Sequence, residues 1–410
     1  MSGPKNVVLI GGGLASLAAI ETLRAEGYDG AIRLVSDEAE IPYDRPPLSK
    51  AYLSGETPLG GILLHDEAWY ESMRVDLELG RKVEAIDPSA RQVRIAGGQA
   101  LGYDRVLIGT GARARELPVS VVAPEVPVHY IRTRADSDRL RESVKAGARV
   151  VLIGGGVIGM EAAATLVQLG CDVTVLEAGE RIMARFFPPA LSEMLAEVHA
   201  ARGVKLHARV VIESVSRQGD ESVVTLGDGT TLAADIVIVG IGSVPNAELA
   251  VDAGLELRYG GIMVDVRAQT AADGVYAAGD VATFQLPDGR WARWENWTHA
   301  RLHGAHSARH MLGKGQTYAE LPWVWSDQYD LNLQVLGSPE SSDPPAIRGS
   351  LEAGRVTAFH LDGGRLVGAT MINDARNKSS IRKLLERGDA VSPEQLVDPS
   401  VDLKKLAASA

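Results

Sequence analysis

The sequence predicts an α/β fold built around two copies of one strand–turn–helix unit, followed by a smaller α+β C-terminal domain. Three observations predict it. The heptapeptide VVLIGGG occurs twice, at Val7–Gly13 and Val150–Gly156. Each copy runs into an Ala-rich segment of helical character, LASLAAIETLRAEG and VIGMEAAATLVQLG. Each is completed by a second apolar run ending on a carboxylate, IRLVSD at Asp37 and DVTVLE at Glu177.

The four apolar residues opening each copy read as a strand buried on both faces. Strand, glycine turn and helix in that order are the setting in which a Gly-rich fingerprint binds a dinucleotide. The turn brings backbone up to the pyrophosphate, and the helix N-terminus aims its free N–H groups at the negative charge. The second copy carries all three fingerprint glycines, Gly154, Gly156 and Gly159. The first carries Gly11 and Gly13 with Ser16 in third place, where close helix–strand packing needs only a small residue. Asp37 and Glu177 are each placed to accept from a ribose diol, so the repeat predicts two dinucleotides. Glu177 repels a ribose 2′-phosphate and favours NAD(H) in the second site, with Arg181 nearby pulling the other way.

Two further runs belong to the first unit. YDRVLIGTGARAR gives a buried strand ending in Gly109-Thr110-Gly111, which reads equally as a turn or a site. GVYAAGDVATF ends its strand at Gly279-Asp280, where the carboxylate suits a sugar-alcohol hydroxyl and favours FAD in the first site; an Asp helix cap is the plainer alternative. Beyond these, LPWVWSDQ and NLQVLG are strand-like, KSSIRKLLERG is basic and helix-like, and Pro344-Pro345 mark a loop.

Composition limits the function classes. With 410 residues there is room for two or three domains. A net charge of −11 argues against nucleic-acid binding. Cys171 is the only cysteine, so no internal disulfide or cysteine-based metal site exists, and it reads as a small buried hydrophobe. The apolar start at Val7 stops at the glycines after four residues, too early for a signal peptide or membrane span, and a cytoplasmic protein is expected.

The order GGGLAS, PYDRPPLSK, GTGA, GGGVIGME, VGIGSVPN, AAGDVA, LPWVWSDQ resembles the FAD-dependent, oxygenase-coupled NADH:ferredoxin reductases, a branch of the glutathione-reductase-type flavoproteins. The resemblance runs along almost the whole chain, and PYDRPPLSK and PWVWSDQ are specific to that branch. It implies bound FAD, NADH as donor, and a [2Fe–2S] ferredoxin partner that feeds a cytochrome P450 or a ring-hydroxylating oxygenase. It also implies a layout: residues 1–112 and 244–318 bind FAD, 113–243 bind NAD, and 319–410 form the C-terminal domain.

Residue by residue, the resemblance places Lys50 beside the flavin, paired with Glu161, and Trp297 on the electron exit side. The alternatives are a solvated Lys50, an ordinary helical Glu161 and a core Trp297. Arg45, Pro46, Thr110, Gly111, Gly279 and Asp280 are implied as FAD contacts, with Leu14 and Ala15 opening the first helix. Val157, Ile158 and Gly242 join the second fingerprint as NAD contacts. Trp325, with Trp323, packs near the flavin from the tail.

The stretch HARLHGAHSARH sets His299, His303, His306 and His310 on one helix face. No acidic partner, cysteine or HExxH pattern supports a metal, and the face reads as solvated or partner-facing. With Arg290, Arg293, Arg301 and Arg309 it predicts a local positive patch for an acidic ferredoxin. Disulfide reductases and the peroxidase and oxidase branches of this fold need a cysteine near PPLSK, and none is present. The competing readings are a cysteine-free NADH oxidase and a redox-controlled interaction flavoprotein resembling apoptosis-inducing factor.

Overall fold

A computed structural model describes residues 3–350, 352, 354–388 and 390–408. The chain divides into two compact units, each assembled from separated segments. The first comprises Met1–Asp44, Leu59–Arg113 and Ser243–Glu320; the second comprises Arg45–Pro58, Ala114–Gly242 and Leu321–Ala410.

The first unit is organised by a parallel five-stranded sheet. Its order is Val275–Ala277, Arg105–Ile108, Asn6–Ile10, Ala31–Val35 and Val75–Glu78. The central strand is buried from Val7 to Ile10, as expected where both faces are covered. The helix Leu14–Ala25 lies so close to the helix Trp297–Met311 that a Cβ on Gly304 would meet the Ala15 carbonyl oxygen at 2.1 Å.

The second unit repeats the design. Its parallel sheet runs Lys205–His207, Asp172–Leu176, Arg149–Ile153, Ile236–Val239 and Val128–His129. It also contains an antiparallel sheet in the order Trp323–Gln328, Leu331–Gly337, Arg365–Ile372, Arg355–Asp362, Ala346–Ser350. The helix Lys378–Arg387 covers this sheet through Ile381, Leu384 and Leu385, at the i, i+3, i+4 spacing of one face, and ends on Gly388 in the left-handed region.

Two packing features knit the separated segments of the second unit together. The C-terminal antiparallel sheet packs on the nucleotide-type sheet, where Leu331, Leu333, Val335 and Ile372 share one core with Met160, Leu166 and Leu195. The segment Arg45–Pro58 also belongs to the second unit. Leu53 enters that same core, the Ser137 hydroxyl donates to the Leu48 carbonyl at 2.9 Å, and the Thr165 hydroxyl donates to the Ser49 carbonyl at 2.8 Å. Among the described residues, no helix is long and apolar enough to cross a membrane.

Candidate functional site

Each unit carries a glycine turn of the same construction. Gly11 has φ +104° and Gly154 φ +114°, and a Cβ on either would meet a carbonyl oxygen, that of Gly109 or Gly240, at 2.4 Å. Only glycine satisfies both the dihedral and the approach. Gly13 and Gly156 occupy the cap positions of the helices Leu14–Ala25 and Val157–Gln168, and neither helix has a side-chain cap. A side chain at Gly156 would meet open space, and one at Gly13 would come no nearer than 3.9 Å to Gly109. First-turn amides at Leu14, Ala15, Val157 and Ile158 thus open onto room for an anion, which is the donor set a pyrophosphate requires. Ile158, 44% exposed, offers an apolar surface at the same end of its helix.

The third fingerprint position is filled differently in the two turns. A Cβ on Gly159 would meet the Gly154 carbonyl oxygen at 2.1 Å, so the second turn demands glycine. In the first, Ser16 is fully buried and its hydroxyl has no hydrogen-bond partner.

The carboxylates at the ends of the second strands are not equivalent. Gly154 N–H donates to Leu176 O and Gly11 N–H to Val35 O, so Glu177 corresponds in register to Ser36. Asp37 lies one residue further on and is exposed. The sequence run IRLVSD hides this step because a strand's last residue is not marked in its composition. Glu177 accepts from the amides of Gly155 at 2.7 Å and Gly179 at 2.6 Å, which fixes its carboxylate at the glycine turn with lone pairs to spare for a ribose diol. Arg181 donates to the Phe187 carbonyl at 3.2 Å, so its guanidinium is engaged with backbone. Glu177→Ala is expected to weaken binding of a dinucleotide ribose at this turn by about tenfold, the loss of one good hydrogen bond to a charged acceptor, as read by equilibrium dialysis.

The remaining first-unit residues gather around the strand ends. Thr110 donates its hydroxyl to Asn246 O at 2.7 Å, and Asn246 returns a bond to Thr110 O at 3.0 Å, so Thr110 ties two segments together. Gly111 and Gly279 take positive φ, as does Gly242 in the second unit. Gly279 N–H donates to His303 Nδ1 at 3.4 Å, and the neighbouring Asp280 is half-buried. Trp297 is half-buried, not a core tryptophan, and its indole N–H donates to Asp44 at 2.7 Å. The Asn296 side chain caps its helix by accepting from His299 N–H at 2.8 Å.

In the second unit, Pro46 and Pro47 open one tight turn, Pro46–Ser49, after Arg45, whose guanidinium donates to Arg132 O at 2.7 Å. The turn delivers Lys50 Nζ to within 2.6 Å of Glu161 Oε2. Glu161 is 3% exposed on the helix Val157–Gln168. Ser49 donates to its Oε2 at 2.5 Å and Ser326 to its Oε1 at 2.7 Å. A buried carboxylate is tolerable only when it is paired and hydrogen-bonded, and this one is both. Nothing local in the sequence singles out Ser326, which stands inside the quoted run PWVWSDQ but meets Glu161 from 165 residues away. Trp325 stacks on Trp323 with ring centroids 5.1 Å apart, and Lys378 Nζ sits 3.6 Å from the Trp323 ring centroid.

Two expectations of the sequence are corrected. The histidine face is not solvated: His299, His303 and His306 are all buried, against Phe284 and Tyr318. Nor do the four arginines form an uncompensated patch, because Arg290 pairs with Asp288, Arg293 with Glu295, Arg301 with Glu21 and Arg309 with Glu26. Among the described residues, no group of three or more His, Cys, Asp and Glu is arranged to hold a metal ion.

Burial holds these histidines neutral, with His299 pushed down to about 3, His306 to about 4 and His303 well below the ordinary value of 6.5. The unfolded chain therefore takes up their protons first as pH falls. Stability is complete above about pH 6.5 and declines below it, by up to ~1.4 kcal/mol per pH unit for each such histidine. The melting temperature is expected to be level from pH 8 to 7 and to drop steeply between pH 6 and 4.5. A level profile down to pH 5 contradicts the burial.

Two uncapped glycine-turn helices on two parallel sheets, with a buried Lys–Glu pair beside the second, define a two-dinucleotide α/β oxidoreductase. The chain belongs to the pyridine nucleotide-disulphide oxidoreductase family, which matches residues 5–304, and a reductase C-terminal domain is matched at residues 323–407. It is 39% identical over 399 residues to the ferredoxin–NAD(+) reductase component of the anthranilate 1,2-dioxygenase system of Burkholderia cepacia, covering 97% of this chain and 98% of the relative. It is 36% identical to putidaredoxin reductase of Pseudomonas putida, covering 100% and 98%. The fold superimposes on putidaredoxin reductase in the crystal structure of its covalent complex with putidaredoxin, with a TM-score of 0.94 at 35% identity, covering 100% of this chain and 99% of that one.

Proposed function

We propose that this chain is the NADH-dependent reductase of a [2Fe–2S] ferredoxin, supplying electrons to a P450 or ring-hydroxylating oxygenase in the cytoplasm. One observation carries the reading within the family. The segment PYDRPPLSK brings Ser49 and Lys50, and no cysteine, to Glu161. The only thiol, Cys171, is buried at the start of a strand, donates to Lys145 O at 3.6 Å, and is pushed up by burial, away from the reactive thiolate. Disulfide and cysteine-peroxidase chemistry have no nucleophile here. Of the acceptors that need no cysteine, the ferredoxin-reducing relatives support a one-electron carrier over dioxygen.

In this reading residues 1–112 and 244–318 bind FAD, 113–243 bind NADH, and 319–410 form the C-terminal domain. Bound FAD supplies the conversion of one hydride into two single electrons. The chain supplies placement and charge. Gly11, Gly13 and the first-turn amides through Ser16 would receive the FAD diphosphate, with Gly111 and Gly279 turning the backbone at positive φ and Asp280 placed to accept from a sugar-alcohol hydroxyl. Gly154, Gly156 and Gly159 receive the NADH diphosphate, and Glu177 its ribose. Lys50, fixed by Glu161, places a cation where negative charge develops on the flavin. The resemblance implies Thr110 and Trp297 in the first unit, and Arg45, Pro46 and Trp325 in the second, as flavin contacts, and Gly242 as an NADH contact.

The overall reaction is NADH plus two oxidised ferredoxins giving NAD+, H+ and two reduced ferredoxins. Steady-state NADH oxidation with an oxygenase-type [2Fe–2S] ferredoxin tests it. The rate should exceed that with dioxygen alone by at least about tenfold, as expected where the acceptor is specifically recognised. NADH oxidation matched by oxygen uptake, with or without ferredoxin, would instead identify an oxidase.

A further inference from the structure

A hydrogen-bond chain of single polarity ends on Glu161. The Tyr329 hydroxyl reaches His199 Nδ1 at 3.2 Å, and His199 Nε2 reaches Gln328 Oε1 at 2.9 Å. Gln328 Nε2 donates to Ser326 Oγ at 3.0 Å, and Ser326 Oγ donates to Glu161 Oε1 at 2.7 Å. The direction of every link follows from the groups present. An amide oxygen only accepts, so His199 Nε2 carries the proton and Nδ1 is left to accept from Tyr329. The amide nitrogen then donates to Ser326, whose one proton goes to the carboxylate.

All the inner members are buried, His199 and Gln328 completely. They come from the helices Val157–Gln168 and Pro189–Ala201 and the strand Trp323–Gln328, so the chain joins elements far apart in sequence. Burial pushes the His199 pKa down to about 4, which keeps the ring in the neutral form with one donor and one acceptor. The outer end reaches a surface recess lined by Val167, Gln168, Arg202, Tyr329 and Asp330. Tyr329 holds φ +57°, an unfavourable conformation for a bulky side chain, and Arg202 stacks 4.4 Å from its ring centroid.

We propose that Ser326, Gln328 and His199 are positioning residues for the Lys50–Glu161 pair. Donors aligned in one direction polarise one another. Here they hold Glu161 Oε1, leaving Oε2 to Ser49 and Lys50. The chain acts by orientation and charge, not as a proton conduit, because the Gln328 amide would have to change tautomer to pass a proton on. The proposal rests on Lys50–Glu161 being the pair that serves the flavin.

The test uses the full-length, FAD-loaded protein and follows loss of flavin absorbance after anaerobic mixing with saturating NADH. Ser326→Ala should slow the reduction by about tenfold, the size of one lost hydrogen bond to a charged group, and Gln328→Met, close in volume to the native side chain, by about fivefold, the size of one lost bond between neutral groups. NADH affinity should stay within about twofold, since neither residue contacts the nucleotide turn. Ser326→Thr, which keeps the hydroxyl, should restore the rate. If one variant melts below the assay temperature, the other carries the test. Rates within about twofold of the native value, with Lys50→Met strongly slowed, would make the chain purely structural and overturn the proposal. A Lys50→Met protein reduced at the native rate would overturn the underlying reading, and the proposal with it.

Discussion

Lys50→Met is expected to slow flavin reduction at saturating NADH by about 100-fold, the loss seen when one preorganised electrostatic group is removed from a water-poor site. NADH affinity should change little, because Lys50 belongs to neither glycine turn. The substitution removes a cation 2.6 Å from Glu161 and leaves a carboxylate that is 3% exposed with only Ser49 and Ser326 to satisfy it. Breaking a buried pair in this way costs up to ~3–5 kcal/mol. The Lys50 side chain is 21% exposed, so water can enter where Nζ was and the lower end is expected. Urea unfolding measures this cost and stopped-flow absorbance measures the rate. Lys50→Arg, which restores the charge, should recover most of the stability but less of the rate, because a planar guanidinium does not reproduce a compact ammonium. Equal rates in Lys50→Met and the native protein would remove Lys50 from the reaction.

The second large effect is predicted for Gly154→Ala. At φ +114°, with a Cβ held 2.4 Å from the Gly240 carbonyl oxygen, alanine fits neither the dihedral nor the space, and the turn must move. Strain of this kind costs of order 1–3 kcal/mol before the clash is counted. The amides that would receive a pyrophosphate are carried on that turn. NADH affinity is expected to fall by at least about 100-fold, with bound flavin retained and still bleached by dithionite. Gly11→Ala, with the same geometry in the first unit, should give the reverse: loss of bound FAD from a protein whose second unit still binds NADH. Equilibrium dialysis for NADH and flavin content after gel filtration distinguish the two. Loss of both ligands in both variants would mean that the turns fold as one system.

The two glycine turns were legible in the sequence because their demands are local: a dihedral and an approach that only glycine meets, repeated in VVLIGGG. The Lys50–Glu161 pair was legible only through resemblance, since its members lie 111 positions apart and no local rule joins a lysine in a proline-rich turn to a helical glutamate. Register was harder. Asp37 looks equivalent to Glu177 in the sequence, but the strand ends one residue earlier and Ser36 takes that place.

The histidine helix differs from its sequence expectation for a specific reason. Spacings of 4, 3 and 4 between His299, His303, His306 and His310 mark one face of a helix, which is also the spacing of a core face. A neutral imidazole can be buried when at least one nitrogen finds a partner, as His306 Nε2 does at Val266 O and His299 Nδ1 at the Tyr318 hydroxyl. The arginine patch dissolved because two of its partners, Glu21 and Glu26, sit on the helix Leu14–Ala25 and at its end, nearly 300 residues away in sequence.

The measurement that bears most directly on the central claim is an anaerobic electron count. One equivalent of NADH is mixed with the FAD-loaded protein, followed by an oxygenase-type [2Fe–2S] ferredoxin. Full bleaching of the flavin by NADH, sluggish bleaching by NADPH, and two ferredoxins reduced per NADH are the predicted result. A flavin reduced by NADH that passes no electrons to such a ferredoxin, but is reoxidised promptly by dioxygen, would contradict it.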